Sequence, residues 1–254
     1  MRTLLLLAVF VAGLHAQTSA RDYLNLGVNA FKTGNYSLAV DSFKAAIALD
    51  PNFDMARLYL ATAYVQQYIP GTETPENRKY ADAAMDEFST VLQKDPTNLL
   101  ATESMASLYY NVKDFAKALE WNRKVLSLDP NNKEAYYTLG VIPWTEFIGA
   151  DREARQHEQM KPEDPAPLID AAERATLRAR YWQSLTEGIE NEKRAIAIDP
   201  DYANAMAYMN LLIRYRADLD DSKEQAQADT KEADGWVEKA LDAQKRRAGA
   251  PNDK

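Results

Sequence analysis

Four Asp-Pro pairs, Asp50-Pro51, Asp95-Pro96, Asp129-Pro130 and Asp199-Pro200, constrain this chain more than any other feature. Each closes a run of helix-forming residues. Proline disfavours helix at the residue before it and lacks the amide hydrogen that a helix interior needs, so each pair ends a helix. The second and third pairs lie 34 residues apart, whereas the other gaps are 45 and 70. Both flanks of these four prolines nevertheless keep one register. Nine and ten residues downstream stand Leu60-Ala61, Met105-Ala106, Leu139-Gly140 and Met209-Asn210; twelve upstream stand Ala39, Ala84, Ala118 and Gly188. The additional residues therefore fall inside a repeating unit, not between units. A chain that recurs in this way is predicted to be all-α, with paired helices that bury their apolar faces against their neighbours. Only nine glycines interrupt it, and a 46% hydrophobic composition is ample for a sizeable core.

The first unit reads Tyr23, Leu26, Gly27, Phe31, Tyr36, Ala39, Phe43, Ala46, Pro51. This series resembles the signature of the tetratricopeptide-repeat (TPR) family, whose unit is two antiparallel helices in about 34 residues. Gly27 and Ala39 would let the two backbones approach, while Leu26, Tyr36 and Phe43 fill the space around them. The resemblance implies a right-handed superhelical stack of about five hairpins: 20–53, 54–98 with an inserted loop around 67–77, 99–132, 133–202 with a long insertion, and 203–247 with a cap. Residues 248–254 are expected to form a flexible tail. The pattern thins in later units: Asn122 and Glu192 stand where Phe43 and Phe88 stand, and Asn210 replaces the usual glycine.

Within the long insertion, residues 145–160 read as a continuation of the first helix past Pro143, and residues 168–198 read as one long helix. The spacing predicts an arm projecting beyond its neighbours. Trp144, Phe147, Ile148, Tyr181 and Trp182 would then zip the two helices of the arm together or form a knob for a partner.

In the TPR family the first helix of each hairpin lines a concave groove. The resemblance implies that Leu24, Val28 and Phe31 face it in the first hairpin, and Leu58 and Val65 in the second. Glu103, Tyr110 and Asn111 would follow in the third, then Tyr137 and Trp144 in the fourth. Chaperone-binding members hold a carboxylate with Lys, Arg and Asn; the matching places here are the apolar Leu24 and Val28. An extended peptide or amphipathic helix with hydrophobic anchors suits such a groove better. The alternative is a groove filled by the chain itself.

Reactive side chains are few. The chain has no cysteine, and its two histidines are His15 and His157. Glu153 and His157 lie four apart on one helix face, a spacing that could hold a metal, but no second histidine joins them. No phosphate-cradling glycine motif occurs, and the carboxylates alternate with Lys and Arg as on solvated helix faces. These features point to a non-catalytic protein-binding scaffold with no cofactor. The competing readings are a self-associating structural protein, forming a homodimer or larger oligomer through the arm, and a metal protein or enzyme built on His157.

Arg2, the apolar run from Leu4 to Leu14, and Leu14-His15-Ala16 make the three-part pattern of a secretory signal peptide over residues 1–16. The run is too short to span a bilayer, which takes about twenty residues. Without cysteine the chain cannot be anchored as a lipoprotein, so a periplasmic or secreted protein is expected. A formal charge of −8 argues against nucleic acid as partner.

Overall fold

The computed structural model describes residues 19–161 and 163–249; the predicted signal segment and most of the predicted tail lie outside them. The described residues form ten α-helices and no strand. In order they are α1 (Ala20–Lys32), α2 (Tyr36–Leu49), α3 (Asp54–Val65), α4 (Pro75–Lys94), α5 (Leu99–Asn111), α6 (Phe115–Leu128), α7 (Lys133–His157), α8 (Ala171–Ile198), α9 (Ala203–Ala217) and α10 (Lys223–Gly249). The chain divides into two compact units, the first ending at Val91 and the second beginning at Leu92.

The four Asp-Pro pairs at Asp50, Asp95, Asp129 and Asp199 each form the same device. The aspartate carboxylate accepts a hydrogen bond from the amide two residues on: Asn52 to Asp50, Thr97 to Asp95, Asn131 to Asp129 and Asp201 to Asp199, all at 3.0–3.1 Å. Its carbonyl also accepts from the amide three residues on. Asp50, Asp129 and Asp199 are extended, as a residue before proline prefers to be. The repeated dipeptide thus stops one helix and turns the chain into the next.

In the first unit α1 packs on α2 and α2 on α3. Leu24, Ala30, Ala39, Phe43, Ala56 and Leu60 belong to its core. A Cβ at Gly27 would lie 2.4 Å from the Phe43 ring, so glycine is what lets that ring seat against α1. The inserted loop spans residues 66–74, because Pro75 opens α4 where the sequence suggested loop up to Asn77. Proline fits the first helical position, where its amide would have no partner in any case. Buried Asn77 turns back from α4 and binds the loop, accepting from Ile69 N and donating to the carbonyls of Ile69 and Thr72 at 2.7–2.8 Å.

In the second unit α5 packs on α6, and α6 through α9 each contact the next helix; α7 also touches α9. The first helix of the insertion runs unbroken through Pro143 to His157, and the second begins at Ala171, after an irregular segment that reaches Asp170. These helices do not project as a free arm. Phe147, Tyr181, Leu185 and Ile189 share one core with Met209, Leu212, Ile213, Leu219 and Ala233 of the last hairpin. Because α10 is itself 27 residues long, the last hairpin matches the insertion and covers it.

Candidate functional site

The positions that depart from the aromatic pattern shape the second unit. Asn122 on α6 stands in the register of Phe43, and Ala106 on α5 in that of Gly27. A phenyl ring would fill the space between them; the shorter asparagine leaves a cavity of about 410 Å³. Glu103, Ala106, Ser107 and Tyr110 of α5 form one wall, and Glu134, Ala135, Tyr137 and Thr138 of α7 the other. Asn122 and Val125 line it from α6, and Asn132 from the turn before α7.

Polar contacts fix this lining. Asn132 caps α7 by accepting from Ala135 N at 2.9 Å and donates through Nδ2 to Glu103 Oε1 at 2.6 Å, so one side chain both starts the helix and aims the carboxylate. The Tyr202 hydroxyl donates to Glu134 Oε2. Asn122, 4% exposed, donates Nδ2 to its own helix at Ala118 O, 2.8 Å. Two carboxylates and no lysine or arginine line the cavity.

A row of rings leads away from it. Tyr137 lies 5.4 Å from both Tyr202 and Tyr208, and Tyr208 is 5.5 Å from Trp144. Trp144 meets Tyr215, Tyr215 meets Phe147, and Phe147 meets Tyr181 at 5.0 Å. Burial, reinforced by neighbouring oxygens, raises the Tyr137 and Tyr202 phenols above their ordinary range. They stay neutral donors.

Glu192 also occupies the register of Phe43. It is fully buried against Gly140, where an added Cβ would fall 2.2 Å from its carboxyl oxygen. Neither carboxyl oxygen has a hydrogen-bond partner, and burial pushes the group up to about 10. At neutral pH it is an uncharged acid.

Of the ten residues that the sequence placed on a groove, Glu103, Tyr110 and Tyr137 come together on this cavity. Asn111 ends α5, half-buried, and Trp144 belongs to the ring row. In the first unit Leu24 is taken into the core at 6% exposure, with Val28 and Phe31 packed half-buried against it. Leu58 and Val65 are half-buried on α3. The sequence reading did not place Asn132, Glu134 and Thr138 at the site. Asn122 was visible as a broken aromatic pattern, which was the available signal.

A second cavity, of about 520 Å³, lies among Asp151, Arg152 and Arg155 of α7 and Arg214, Tyr215 and Asp218 near the end of α9. Arg155 grips Asp218 with two bonds, of 2.5 and 3.2 Å, and donates to the carbonyls of Lys161 and Asp164. Burial, together with the Asp218 charge, pushes Asp151 up to about 8, so this pair of acids keeps a proton. The bonds run to the chain's own loop and mark the place as a structural clasp. His157 is exposed, its Nδ1 3.4 Å from Glu173; among the described residues no group of three or more His, Cys, Asp or Glu could hold a metal ion.

Models of the tetratricopeptide repeat match residues 20–53 and 104–132. The chain carries tetratricopeptide repeats. Among known TPR folds it is similar to MamA, at 16% identity and a TM-score of 0.60, over 91% of this chain and 95% of that one. MamA from Desulfovibrio magneticus RS-1 aligns at 17% identity, with a TM-score of 0.60 and coverage of 92% and 97%. YrrB, described as a TPR protein with an unusual peptide-binding site, aligns at 15% with a TM-score of 0.54, covering 91% and 94%. At such identities the likeness is one of fold. A curated relative, the uncharacterized protein ycf37 of Pyropia yezoensis, is 31% identical over 111 residues. That match spans 44% of this TPR chain and 57% of the relative, little more than half its length.

Proposed function

We propose that this TPR protein is a non-catalytic scaffold of the cell envelope that holds a peptide or helix of a partner protein on the face shared by α5 and α7. TPR proteins bind protein partners, and the observation that supports a site here is the open cavity between these helices, lined by Glu103, Tyr110 and Tyr137. YrrB offers a precedent, as a similar fold described as having a peptide-binding site. Pairing of copies through the insertion is the weaker reading, because Phe147 and Tyr181 are buried against the chain's own last hairpin. The charge-free apolar run before Ala16 supports export.

A photo-crosslinking residue at exposed Ser107, installed in the living cell, tests the site. A discrete protein adduct at Ser107, absent when the same residue replaces Ser127 on α6, is the expected result. Equal labelling at both positions removes the site. Export is tested separately by the N-terminus of the purified native protein: Gln17 in the envelope fraction is expected, and an intact Met1 in the cytosol overturns it.

A further inference from the structure

We propose that the α5–α6–α7 cavity receives a basic side chain, lysine or arginine, from the partner segment; this rests on the binding face proposed above and names what that face recognises. The lining decides between ligand chemistries. Among the described residues Glu103 accepts one side-chain hydrogen bond, from Asn132, and Glu134 one, from Tyr202, whereas a carboxylate has room for about four. Asn122, buried at 4% exposure, spends its Nδ2 on Ala118 O and leaves its Oδ1 as a further acceptor on the cavity wall. Tyr110 and Tyr137 add aromatic rings to the lining, a side-chain type that attracts cations.

An anionic ligand would meet two carboxylates with no counter-charge among the lining residues. A purely apolar side chain would strip water from those carboxylates and return no hydrogen bond. A guanidinium or ammonium group supplies donors where acceptors converge, and charge-assisted bonds are about twice as strong as neutral ones. The nearby cation of the chain is already engaged: Lys133 binds Asp199 at 2.6 Å and lies over the Tyr202 ring. The volume, about 410 Å³, falls among small-ligand pockets, about 300–1,000 Å³. It exists because Asn122 is not aromatic.

The test uses the full chain, isotope-labelled for NMR, and four capped pentapeptides: four alanines around a central arginine, lysine, citrulline or glutamate. Arginine and lysine peptides at millimolar concentration are expected to shift the amide signals of Ser107, Tyr110, Tyr137 and Thr138. Citrulline, neutral and nearly the same shape as arginine, is expected to bind at least about tenfold more weakly, and glutamate not to bind. The Glu103→Gln/Glu134→Gln variant should lose the arginine response by a similar factor. Asn122→Phe fills the cavity and should abolish it in a folded protein, since buried Phe88 and Ala61 already hold the two equivalent register positions. Equal shifts from citrulline and arginine overturn the basic-side-chain assignment while leaving the binding face intact. No arginine response together with a persistent Ser107 adduct has the same meaning; loss of the adduct removes both.

Discussion

Lys113 holds a φ of 62° in the turn between α5 and α6, at the position that Gly34, φ 76°, holds between α1 and α2. A side chain in this left-handed region costs about 1 kcal/mol or more, and glycine escapes the cost. No atom lies within 4 Å of a Cβ built on Gly34, so a substitution there isolates the backbone contribution. Gly34→Ala is expected to lower stability by about 1 kcal/mol, and Lys113→Gly to raise it by up to about 1 kcal/mol. Urea unfolding of the two variants checks both signs; identical midpoints would contradict the argument. Gly27 fails differently. Its backbone is ordinary helix, but the Phe43 ring occupies the place of its Cβ at 2.4 Å, so Gly27→Ala should cost about 1–3 kcal/mol through crowding. The sequence shows both glycines equally well, yet only their surroundings tell the two mechanisms apart. Asn122 teaches the same lesson: its type announced a missing ring, while the cavity beside it required the positions of α5 and α7.

At the scale of elements, helix ends were legible because they are local. Asp-Pro stops α2, α6 and α8, and capping side chains such as Asn98, Asp114 and Asn132 start the helices that follow them. The burial of the insertion was not legible, because it depends on α9 and α10 meeting helices some sixty residues earlier in the chain. Arg155 is the clearest case. From α7 it reaches Asp218 beyond α9 and the loop carbonyls of Lys161 and Asp164, tying together three segments that no periodicity links. Both charges are mostly withdrawn from water, with side-chain exposures of 15% and 4%. Removing one partner of a buried pair strands the other, at a cost of about 3–5 kcal/mol. Arg155→Ala should therefore destabilise the second unit by about 3 kcal/mol or more and expose the segment before α8 to protease. Amide exchange at Leu168, which donates to Asp218 O at 3.0 Å, would report the opening directly. Protection there as strong as in the wild type would show that the clasp does not hold the loop.

For the whole molecule, the buried acids set how stability varies with pH. Folded Glu192 keeps its proton up to about 10 and Asp151 up to about 8, whereas the same side chains in the unfolded chain lose theirs near 4.5 and 3.8. Between about pH 5 and 8 the folded protein thus binds more protons than the unfolded one. Stability therefore falls as pH rises, and each such proton contributes up to about 1.4 kcal/mol per pH unit. The carboxylates with lowered values, such as Asp199 and Asp170, act in the opposite sense but only in acid, below their unfolded value of 3.8. The melting temperature is accordingly expected to be higher at pH 5 than at pH 8. Glu192→Met removes one of these protons and puts an apolar side chain where the first unit has Phe43. It should flatten the profile by about one proton, raise stability most at pH 8, and leave pH 5 little changed. The α5–α7 cavity provides the control, because a protonated Glu192 adds no charge beside Tyr137: arginine-peptide binding at pH 7 should be the same in the variant as in the wild type. A slope unchanged by Glu192→Met would mean that the carboxyl ionises within the fold, and the register position shared with Phe43 would then have to admit water.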